Sequence, residues 1–402
     1  MTRRLTWGCL LTLSACLTAC GGSRPDYSSL EFPGGQRSAQ ARLTSDIDGT
    51  PILSWLEPDG DETVLRYARL GAAGFETPVD VVSSERMFIN WADFPSVTPI
   101  DQTLWFAHWL ERAPDSAGAY HVATMISRDA GVTWTAAEQM NEDSTEAEHG
   151  FVSVFEWDGA IAGFWLDGRE LANWSFDDPD ALLGVSLRLA RYDSSGRVED
   201  RRIVDELVCD CCQPDVAIAE SGPIVVYRDR TEDEIRDVVV RRFVDGDWSA
   251  PANLGNEGWE IAGCPVNGPV IAAEGRDVVA AWYTAPDGFG RVRFARSRDA
   301  GASFAPAIDV DADGAYGQPG IVLDADGRAV VSWWRRSANG GIDLVARSYD
   351  VDGTASMDSI VAHETVASPV DVPQVVPVGD QYLFAWTTFD DGGSVRVAVL
   401  DL

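Results

Sequence analysis

Three cysteines fall within four positions of the segment VCDCCQPDVA, at Cys209, Cys211 and Cys212, and another follows at Cys264. Thiolates act as nucleophiles, as disulfide partners and as soft metal ligands, so this cluster is the clearest chemical feature of the sequence. The first interpretation is structural. Disulfides would join neighbouring segments, with Cys264 bonded to one cysteine of the triplet and a second bond within it. Outside the cytoplasm this is the expected state.

Two other interpretations of the cysteines remain open. In one, Cys209, Cys211, Cys212 and Cys264 bind copper(I) or zinc, with His149 as a further ligand. Four thiols are a suitable number of ligands, although the C-x-C-C spacing matches no common zinc pattern. In the other, Cys209 and Cys212 perform thiol–disulfide exchange. The sequence around them lacks the βαβ pattern of thioredoxin-like motifs.

The N-terminus resembles the signal peptide of a bacterial lipoprotein. Arg3 and Arg4 precede a short apolar run that ends in LTAC at Cys20. The resemblance implies a signal peptide over residues 1–19, a lipid on Cys20 and a short linker over residues 20–26. Because Gly21 is not an acidic retention residue, it also implies the outer membrane. Whether the protein faces the periplasm or the cell surface stays open.

The charge balance excludes several classes of function. The sequence has 31 basic and 64 acidic residues, and without residues 1–19, which carry two arginines and no acid, the formal charge is 29 − 64 = −35. A chain this acidic repels nucleic acid and anionic headgroups, so membrane attachment would depend on the lipid. No lysine occurs, which excludes a lysine nucleophile or Schiff base.

Seven β-type segments that end in an aromatic residue recur along the chain. These marker aromatic residues lie 51 to 62 residues apart and are Trp55, Trp109, Trp165, Tyr227, Trp282, Trp333 and Trp386. A turn-rich repeat of about 50 residues predicts an all-β fold, a single β-propeller over residues 27–402 with seven four-stranded blades. Six blades are the alternative, if a terminal repeat is irregular. The last repeat stops at its third strand, so the segment around Tyr27 is expected to close the ring.

Two turns between third and fourth strands carry one pattern. Residues 127–134 read SRDAGVTW, and residues 297–304 read SRDAGASF. Both resemble the Asp box of bacterial neuraminidase (BNR) repeats, S-x-D-x-G-x-T-W, and this resemblance points to the sialidase-like propeller superfamily. In that family the box is structural: Asp and Ser bond turn amides, Gly takes positive φ and the aromatic residue packs between sheets. The matching residues are Ser127, Asp129, Gly131, Thr133, Trp134, Ser297, Asp299, Gly301, Ser303 and Phe304.

The resemblance implies a glycoside hydrolase site that the sequence carries only in part. Sialidases of this family bind the substrate carboxylate with three arginines, the first in an Arg-Ile-Pro motif, and use a tyrosine–glutamate pair with an aspartate. No Arg-Ile-Pro occurs here. Arginines and acids do cluster in YRDRTEDEIRD and WRRSANGG, which gives as candidate catalytic residues Arg228, Glu234, Arg236 and Arg335. The simpler interpretation of these segments is a solvated loop of ion pairs.

The repeat register places these features on one face. Cys209 and Cys264 each lie five residues before a proline that opens an innermost strand, Pro214 and Pro269. In a propeller, the loops before the innermost strands and the loops between second and third strands form one rim of the central channel, where ligands usually bind. We call this rim the ligand face, and it is expected to contain Cys209, Cys211, Cys212, Cys264, Asn267, His149, Arg230 and Arg336.

The function expected from these observations is a binding or scaffold propeller for a glycan or a protein ligand. Two alternatives remain. One is an exo-sialidase-like hydrolase that acts on acidic sugars, and the other is an envelope protein that holds copper or zinc at the cysteines.

Overall fold

The computed structural model describes residues 27–114, 116, 118–172, 184–193, 195–365, 372–388 and 393–402. The expected signal peptide, Cys20 and the linker before Tyr27 lie outside these ranges. The described residues form thirty strands and one short helix, α1 (Arg169–Ala172). No helix in this part of the chain is long and apolar enough to cross a membrane.

The strands form seven antiparallel sheets arranged as the blades of a propeller. From the innermost strand outward, blade 1 contains β2 (Ala39–Ser45), β3 (Pro51–Asp59), β4 (Glu62–Gly71) and the short outer strands β5 (Gly74–Phe75) and β6 (Val79–Ser84). Blade 2 contains β7 (Ser96–Pro99), β8 (Trp105–Arg112), β9 (Tyr120–Ser127) and β10 (Glu138–Gln139). Blade 3 contains β11 (His149–Trp157), β12 (Ala160–Asp167), β13 (Val185–Tyr192) and β14 (Val198–Val208).

The remaining blades repeat the same order. Blade 4 contains β15 (Asp215–Ala219), β16 (Gly222–Arg228), β17 (Val238–Val244) and the short outer strands β18 (Asp247–Trp248) and β19 (Ala252–Asn253). Blade 5 contains β20 (Val270–Glu274), β21 (Asp277–Thr284), β22 (Arg291–Ser297) and β23 (Ile308–Asp311). Blade 6 contains β24 (Ala315–Leu323), β25 (Ala329–Arg336), β26 (Ile342–Tyr349) and β27 (Ser359–Glu364). Blade 7 contains β28 (Gln374–Val378), β29 (Gln381–Thr388), β30 (Ser394–Leu400) and β1 (Tyr27–Leu30).

The ring closes through the first strand of the chain. β1 is the outermost strand of blade 7 and pairs antiparallel with β30, with Tyr27 opposite Leu400. The prediction of seven blades is therefore confirmed, and so is the closure of the last blade by the segment around Tyr27. The six-bladed alternative is wrong, because both terminal repeats complete regular blades.

The marker aromatic residues form the centre of each blade and are buried. Each of them donates a hydrogen bond of 2.6 to 3.2 Å to a carboxylate. In blades 1 to 3 the acceptor lies two residues further along the same strand: Glu57, Glu111 and Asp167. In blades 4 to 7 it comes from the outer part of the preceding blade: Asp205, Glu257, Asp311 and Glu364. The structure thus uses seven acidic side chains to satisfy buried aromatic donors.

Both Asp boxes form compact turns with one set of contacts. In the first, Asp129 accepts hydrogen bonds from the Ser127 hydroxyl (2.8 Å) and from the amide (2.8 Å) and hydroxyl (2.7 Å) of Thr133. Gly131 has φ of 85°, which a side chain would strain, and Trp134 packs against the core. In the second box Asp299 accepts the equivalent bonds, Gly301 has φ of 76° and Phe304 packs on the core.

Candidate functional site

The cysteines meet at the rim formed by the loops before β15 and β20. Cys211 and Cys264 form a disulfide that joins these two loops, with their Cα atoms 6.0 Å apart. Cys209 and Cys212 are buried free thiols whose Sγ atoms lie 3.3 Å apart. The disulfide that the structural interpretation expects between Cys264 and the triplet is therefore present. The second disulfide that it expects within the triplet is not formed.

The surroundings of the two thiols differ in charge. The hydrogen bond with Cys212 lowers the pKa of the Cys209 thiol to about 6 against the effect of burial, with help from the nearby Arg228 and Arg236. Arg236 Nη1 lies 3.4 Å from Cys209 Sγ. Burial and the neighbouring Cys209 raise the pKa of Cys212. Cys209 is therefore the thiol that ionises first.

A chain of contacts links these thiols to the next two blades. The amide of Asn267 donates to Cys212 Sγ at 3.4 Å. The side-chain oxygen of Asn267 in turn accepts from the amide of Gln318 at 2.6 Å. Asn267 lies two residues before Pro269, as Cys212 does before Pro214, so the repeat brings matching positions into contact.

A cavity of about 170 Å³ occupies the central channel beside Cys211. Its wall is formed by the innermost strands β2, β15, β20, β24 and β28 and by the loops that precede them. Four prolines and several aliphatic side chains supply apolar surface. The polar or charged side chains of the wall are Arg42, Gln213, Asp215, Gln318 and Gln374. Most of the accessible wall is nevertheless polar, which suits a ligand that carries hydrogen-bonding groups.

Arg42 and Asp215 are the charged groups of this wall. Burial lowers the pKa of Arg42, and Asp215 opposes that effect. Burial raises the pKa of Asp215 to about 6, although the amide of Ile271 donates to its carboxylate at 2.9 Å. Within the described part of the chain, no acceptor forms a hydrogen bond or an ion pair with the Arg42 guanidinium. The Arg42 guanidinium therefore faces the cavity with Asp215 as its nearby counter-charge but with no direct hydrogen bond among the described residues.

Sequence reasoning missed Arg42. The repeat register could have drawn attention to Arg42. Arg42 lies one residue after the position that is proline in five of the seven repeats, which places it in an innermost strand. The matching positions in the other blades carry uncharged or acidic residues: Ser96, Ser153, Asp215, Val270, Gly320 and Gln374. A basic residue in an innermost strand is thus unusual within this chain.

The arginines proposed as catalytic candidates are held by protein groups. Arg228 is buried and donates to the carbonyl oxygens of Arg236 (2.8 Å), Asn267 (2.9 Å) and Tyr283 (2.7 Å). Arg236 bonds Glu234 at 2.9 Å and Asp210 at 2.8 Å. These contacts favour the interpretation of the segment as an ion-paired loop. They argue against Arg228 as a ligand for a substrate carboxylate.

The other basic residues of the ligand face are also engaged. Arg230 forms an ion pair with Glu234 at 2.5 Å. Arg335 pairs with Asp358 in its own blade at 2.5 Å, so it does not join Arg228 and Arg236 at the cysteine rim. The guanidinium of Arg336 lies 5.7 Å from the ring centre of Tyr316. The structure thus does not assemble three free arginines around one site in the described residues.

His149 lies at the start of β11, away from the cysteines. Its Nε2 atom is 3.3 Å from Asp143 Oδ1 and 3.6 Å from Asp167 Oδ1. The structure thus groups His149 with Asp143 and Asp167 and not with the sulfur atoms of the cysteines. The sulfur atoms of Cys209, Cys211 and Cys212 lie within 4.8 Å of one another and form a group of their own.

Comparisons with known proteins identify a fold. No protein-family description matches the chain, and no curated protein sequence matches it. An α-L-arabinofuranosidase from Fusarium graminearum in complex with an iminosugar inhibitor is similar at 13% identity and a TM-score of 0.50, covering 94% of this chain and 98% of that one. A puromycin hydrolase mutant has 16% identity and a TM-score of 0.50, covering 87% of this chain and 50% of that one.

A sialidase, Hadza microbial sialidase Hz136, has 13% identity and a TM-score of 0.43 and covers 74% of this chain and 63% of that one. At these identities the similarity concerns the fold alone. The expected fold is confirmed: the chain is a seven-bladed β-propeller, and it is similar in fold to the arabinofuranosidase.

Proposed function

We propose that this protein is an exported, lipid-anchored β-propeller that binds a small acidic sugar in its central channel, at the cysteine-lined rim. One observation carries the proposal: the Arg42 guanidinium, which forms no hydrogen bond or ion pair among the described residues, faces a cavity that is also lined by Asp215 and three glutamines. A guanidinium binds a carboxylate well, and amide side chains bind hydroxyl groups. A cavity of about 150 Å³ accommodates one benzene-sized ring, so a single sugar ring is the largest suitable ligand.

Binding is favoured over hydrolysis by the carboxyl groups of the cavity. Glycoside hydrolysis normally uses two carboxyl groups on opposite sides of the scissile bond, about 5 to 10 Å apart. Among the described residues of the cavity wall, Asp215 is the only one with a carboxyl group. We propose a sugar as the ligand because the arabinofuranosidase of similar fold binds an iminosugar inhibitor. The exo-sialidase-like hydrolase remains the alternative within the same ligand class.

The N-terminal sequence supports a proposal for the location. We propose that Cys20 carries the lipid and that the protein lies in the cell envelope, at the outer membrane. Contact with the membrane would depend on this lipid, because the acidic chain repels anionic headgroups. The same charge argues against a nucleic-acid partner.

The test is isothermal titration of the exported, full-length protein with glucuronate, galacturonate and N-acetylneuraminate, and with neutral glucose for comparison. We expect an acidic sugar to bind and glucose to bind at least 10-fold more weakly. Arg42→Gln should weaken the acidic sugar at least 10-fold, because it removes the charge that meets the carboxylate. Arg276→Gln, a change of an exposed side chain in the turn between β20 and β21, is the matched control and should bind normally.

Two results would contradict the proposal. Equal affinity for acidic and neutral sugars, or unchanged binding in Arg42→Gln, would show that Arg42 does not recognise a carboxylate. Cleavage of a generic sialoside reporter that is lost in Arg228→Ala would instead favour the hydrolase.

A second candidate function is thiolate binding of copper(I) or zinc at the cysteines. It is favoured by the three buried sulfur atoms within 4.8 Å of one another. Soft thiolates suit both ions, and reduction of the Cys211–Cys264 bond by two equivalents of an external thiol, which leave as their own disulfide, would supply four of them. Intact mass after thiol alkylation, under native and then denaturing conditions, tests it. Four alkylated cysteines together with a metal lost on denaturation would support the site. An alkylation-resistant Cys211–Cys264 pair and no metal would overturn it.

A further inference from the structure

The wall of the central cavity carries one charge of each sign. Arg42 lies in β2 of blade 1, Asp215 lies in β15 of blade 4, and both side chains line the cavity. Two blades separate blades 1 and 4 on one side of the ring and three blades separate them on the other. The two side chains therefore lie across the channel from each other. Among the described residues no ion pair joins them, so the cavity contains two opposite charges that do not touch.

The contacts of Asp215 suit an ionised carboxylate. Its Oδ1 atom accepts the amide of Val216 at 2.9 Å, and its Oδ2 atom accepts the amide of Ile271 at 2.9 Å. Two donors stabilise the charged form, whereas a protonated carboxyl group would need an acceptor, which these contacts do not offer. Burial raises the pKa of Asp215 to about 6, so the group is still mostly ionised at pH 7. Each oxygen can accept one further hydrogen bond.

The three glutamines of the wall add uncharged acceptors. The side-chain nitrogens of Gln213, Gln318 and Gln374 each donate to a backbone carbonyl oxygen. Because a carbonyl oxygen only accepts, these hydrogen bonds fix the orientation of each side-chain amide. Each glutamine thus keeps its side-chain oxygen as an acceptor. The wall therefore offers one cation, one anion and several acceptors to a ligand that carries donors.

The charge balance of the cavity indicates which ligand fits it. The charges of Arg42 and Asp215 cancel, so a ligand whose only charge is a carboxylate would leave the occupied cavity with a net charge of −1. A buried charge without a partner costs free energy. A ligand that carries both a carboxylate and an ammonium group leaves the net charge at zero. It also gives each of the two wall charges a partner of its own.

We infer that the ligand is a zwitterion, an acidic sugar that also carries a free amino group. This inference rests on the proposed function, from which it takes the sugar ring and the contact between Arg42 and the carboxylate. The ammonium group would bind Asp215, and the hydroxyl groups would bind the glutamine oxygens. Asp215 would then select sugars with a free amine over sugars with a hydroxyl or an acetylated amine at the same carbon.

The geometry of one sugar class matches the positions of the two wall charges. In a 2-amino-2-deoxyuronic acid the carboxylate is attached to C5 and the amine to C2, which are opposite corners of the six-membered ring. Arg42 and Asp215 likewise lie across the channel from each other. A single ring that fills the cavity could therefore reach Arg42 with its carboxylate and Asp215 with its amine.

The test is isothermal titration of the exported, full-length protein at pH 7 with galactosaminuronate. Galacturonate, N-acetylgalactosaminuronate and galactosamine serve as comparisons, because each lacks one of the two charges. The sugar amine is mostly protonated at this pH if its pKa resembles that of an α-amino group, about 8. We expect galactosaminuronate to bind at least 10-fold more tightly than any of the three.

Two variants test the role of Asp215. Asp215→Asn keeps the size of the side chain but removes its charge. It should bind galactosaminuronate at least 10-fold more weakly and galacturonate more tightly, because two carboxylates no longer repel each other. Glu220→Gln removes an exposed acid from the turn between β15 and β16, and this matched control should keep the preference for the amine. The comparison of sugars on the unchanged protein decides the question if Asp215→Asn fails to fold.

The possible failures of this inference and of the proposed function are distinguishable. Equal affinity for galacturonate and galactosaminuronate, with glucose weaker, would overturn the inference and leave the proposed function in place. The same sugar preference in Asp215→Asn as in the unchanged protein would also overturn it. An absence of binding by every acidic sugar would remove the proposed function itself. L-Serine, a zwitterion without a ring, is included because binding of L-serine as tight as that of galactosaminuronate would exclude a sugar as the specific ligand.

Discussion

Single side chains at the ligand face connect neighbouring blades. Cys212 and Asn267 occupy matching positions of their repeats. Cys212 contacts Asn267 in the loop before β20, and Asn267 contacts Gln318 in β24, the innermost strand of the next blade. Asp93 occupies the same position in blade 2, two residues before Pro95. In the described part of the chain neither carboxylate oxygen of Asp93 has a hydrogen-bond partner, and the side chain is buried. Asp93 therefore buries a carboxylate without hydrogen bonds, which costs free energy of folding, whereas Cys212 and Asn267 form contacts at the matching positions.

Asp93 is expected to make the stability of the protein depend on pH. Burial raises its pKa to about 7, against the effect of the nearby Phe151 amide. Since the unfolded value is lower, the folded state binds more protons between pH 4 and 7, so stability falls as the pH rises through this range. A shift of three pKa units corresponds to about 4 kcal/mol. Asp215 and Asp229, whose pKa values are raised to about 6, act in the same direction.

We predict that Asp93→Asn reduces the loss of stability between pH 4 and 8 by a few kcal/mol, because an amide does not ionise. The measurement is urea unfolding at pH 4, 6 and 8. Asp61→Asn, a change of an exposed acid, is the control and should retain the pH dependence of the unchanged protein. Parallel pH profiles for Asp93→Asn and the unchanged protein would contradict the prediction.

For single side chains, the sequence predicts where a residue lies better than it predicts what the residue does. The register placed Cys209, Cys211, Cys212, Cys264 and Asn267 on one rim, where the structure also has them. It did not reveal which side chains are free. Arg42 lies in the innermost strand of its blade and Arg228 in the second strand of its blade, but only the fold shows that Arg42 faces a cavity while carbonyl oxygens surround Arg228. Such differences depend on contacts between blades, which a single repeat does not contain.

At the scale of the strands, the marker aromatic residues explain part of the acidity of the chain. Three of the four acceptors in blades 4 to 7 lie 22 residues before their aromatic partners, as Asp311 does before Trp333. This spacing is visible in the sequence. The sequence does not show what the spacing means, because the hydrogen bond joins the outer strand of one blade to the second strand of the next blade. The strands were predictable from local periodicity, whereas these contacts required the arrangement of the blades.

The Asp boxes lie on the face opposite the cysteines, because successive strands of a blade reverse direction. We predict that Asp129→Ala lowers the melting temperature by about 1 to 3 °C, since it removes three hydrogen bonds from one surface turn. Binding at the central channel should not change. Thermal unfolding and sugar titration of the same variant measure both effects. Arg128→Ala, in the same turn, is the control, and a loss of sugar binding in Asp129→Ala with intact fold would contradict the assignment of a structural role.

At the scale of the whole molecule, one short strand closes the ring. β1 pairs with β30 through residues 27–30, which leaves no unpaired outer edge on β30. The number of blades and this closure were predicted from the spacing of the markers and from the incomplete last repeat. The central cavity was not, because its shape depends on how the innermost strands of different blades meet.

We predict that deletion of residues 27–31 lowers the urea midpoint and causes self-association, because β30 becomes an exposed edge. Urea unfolding and size-exclusion chromatography measure the two effects. Deletion of residues 22–26, which keeps β1, is the control and should give a monomer of normal stability. A monomer with an unchanged midpoint after loss of β1 would show that the ring does not need this strand.

The position of β1 also has a consequence for how the molecule would sit at a membrane. Tyr27 lies on the outer circumference of the ring and not at either opening of the channel. A lipid on Cys20 would be joined to it by seven peptide units, which span at most about 25 Å when extended. Such a tether would keep the propeller within about 25 Å of the lipid surface and would attach it at the outer edge of blade 7, so the lipid itself would not block the channel.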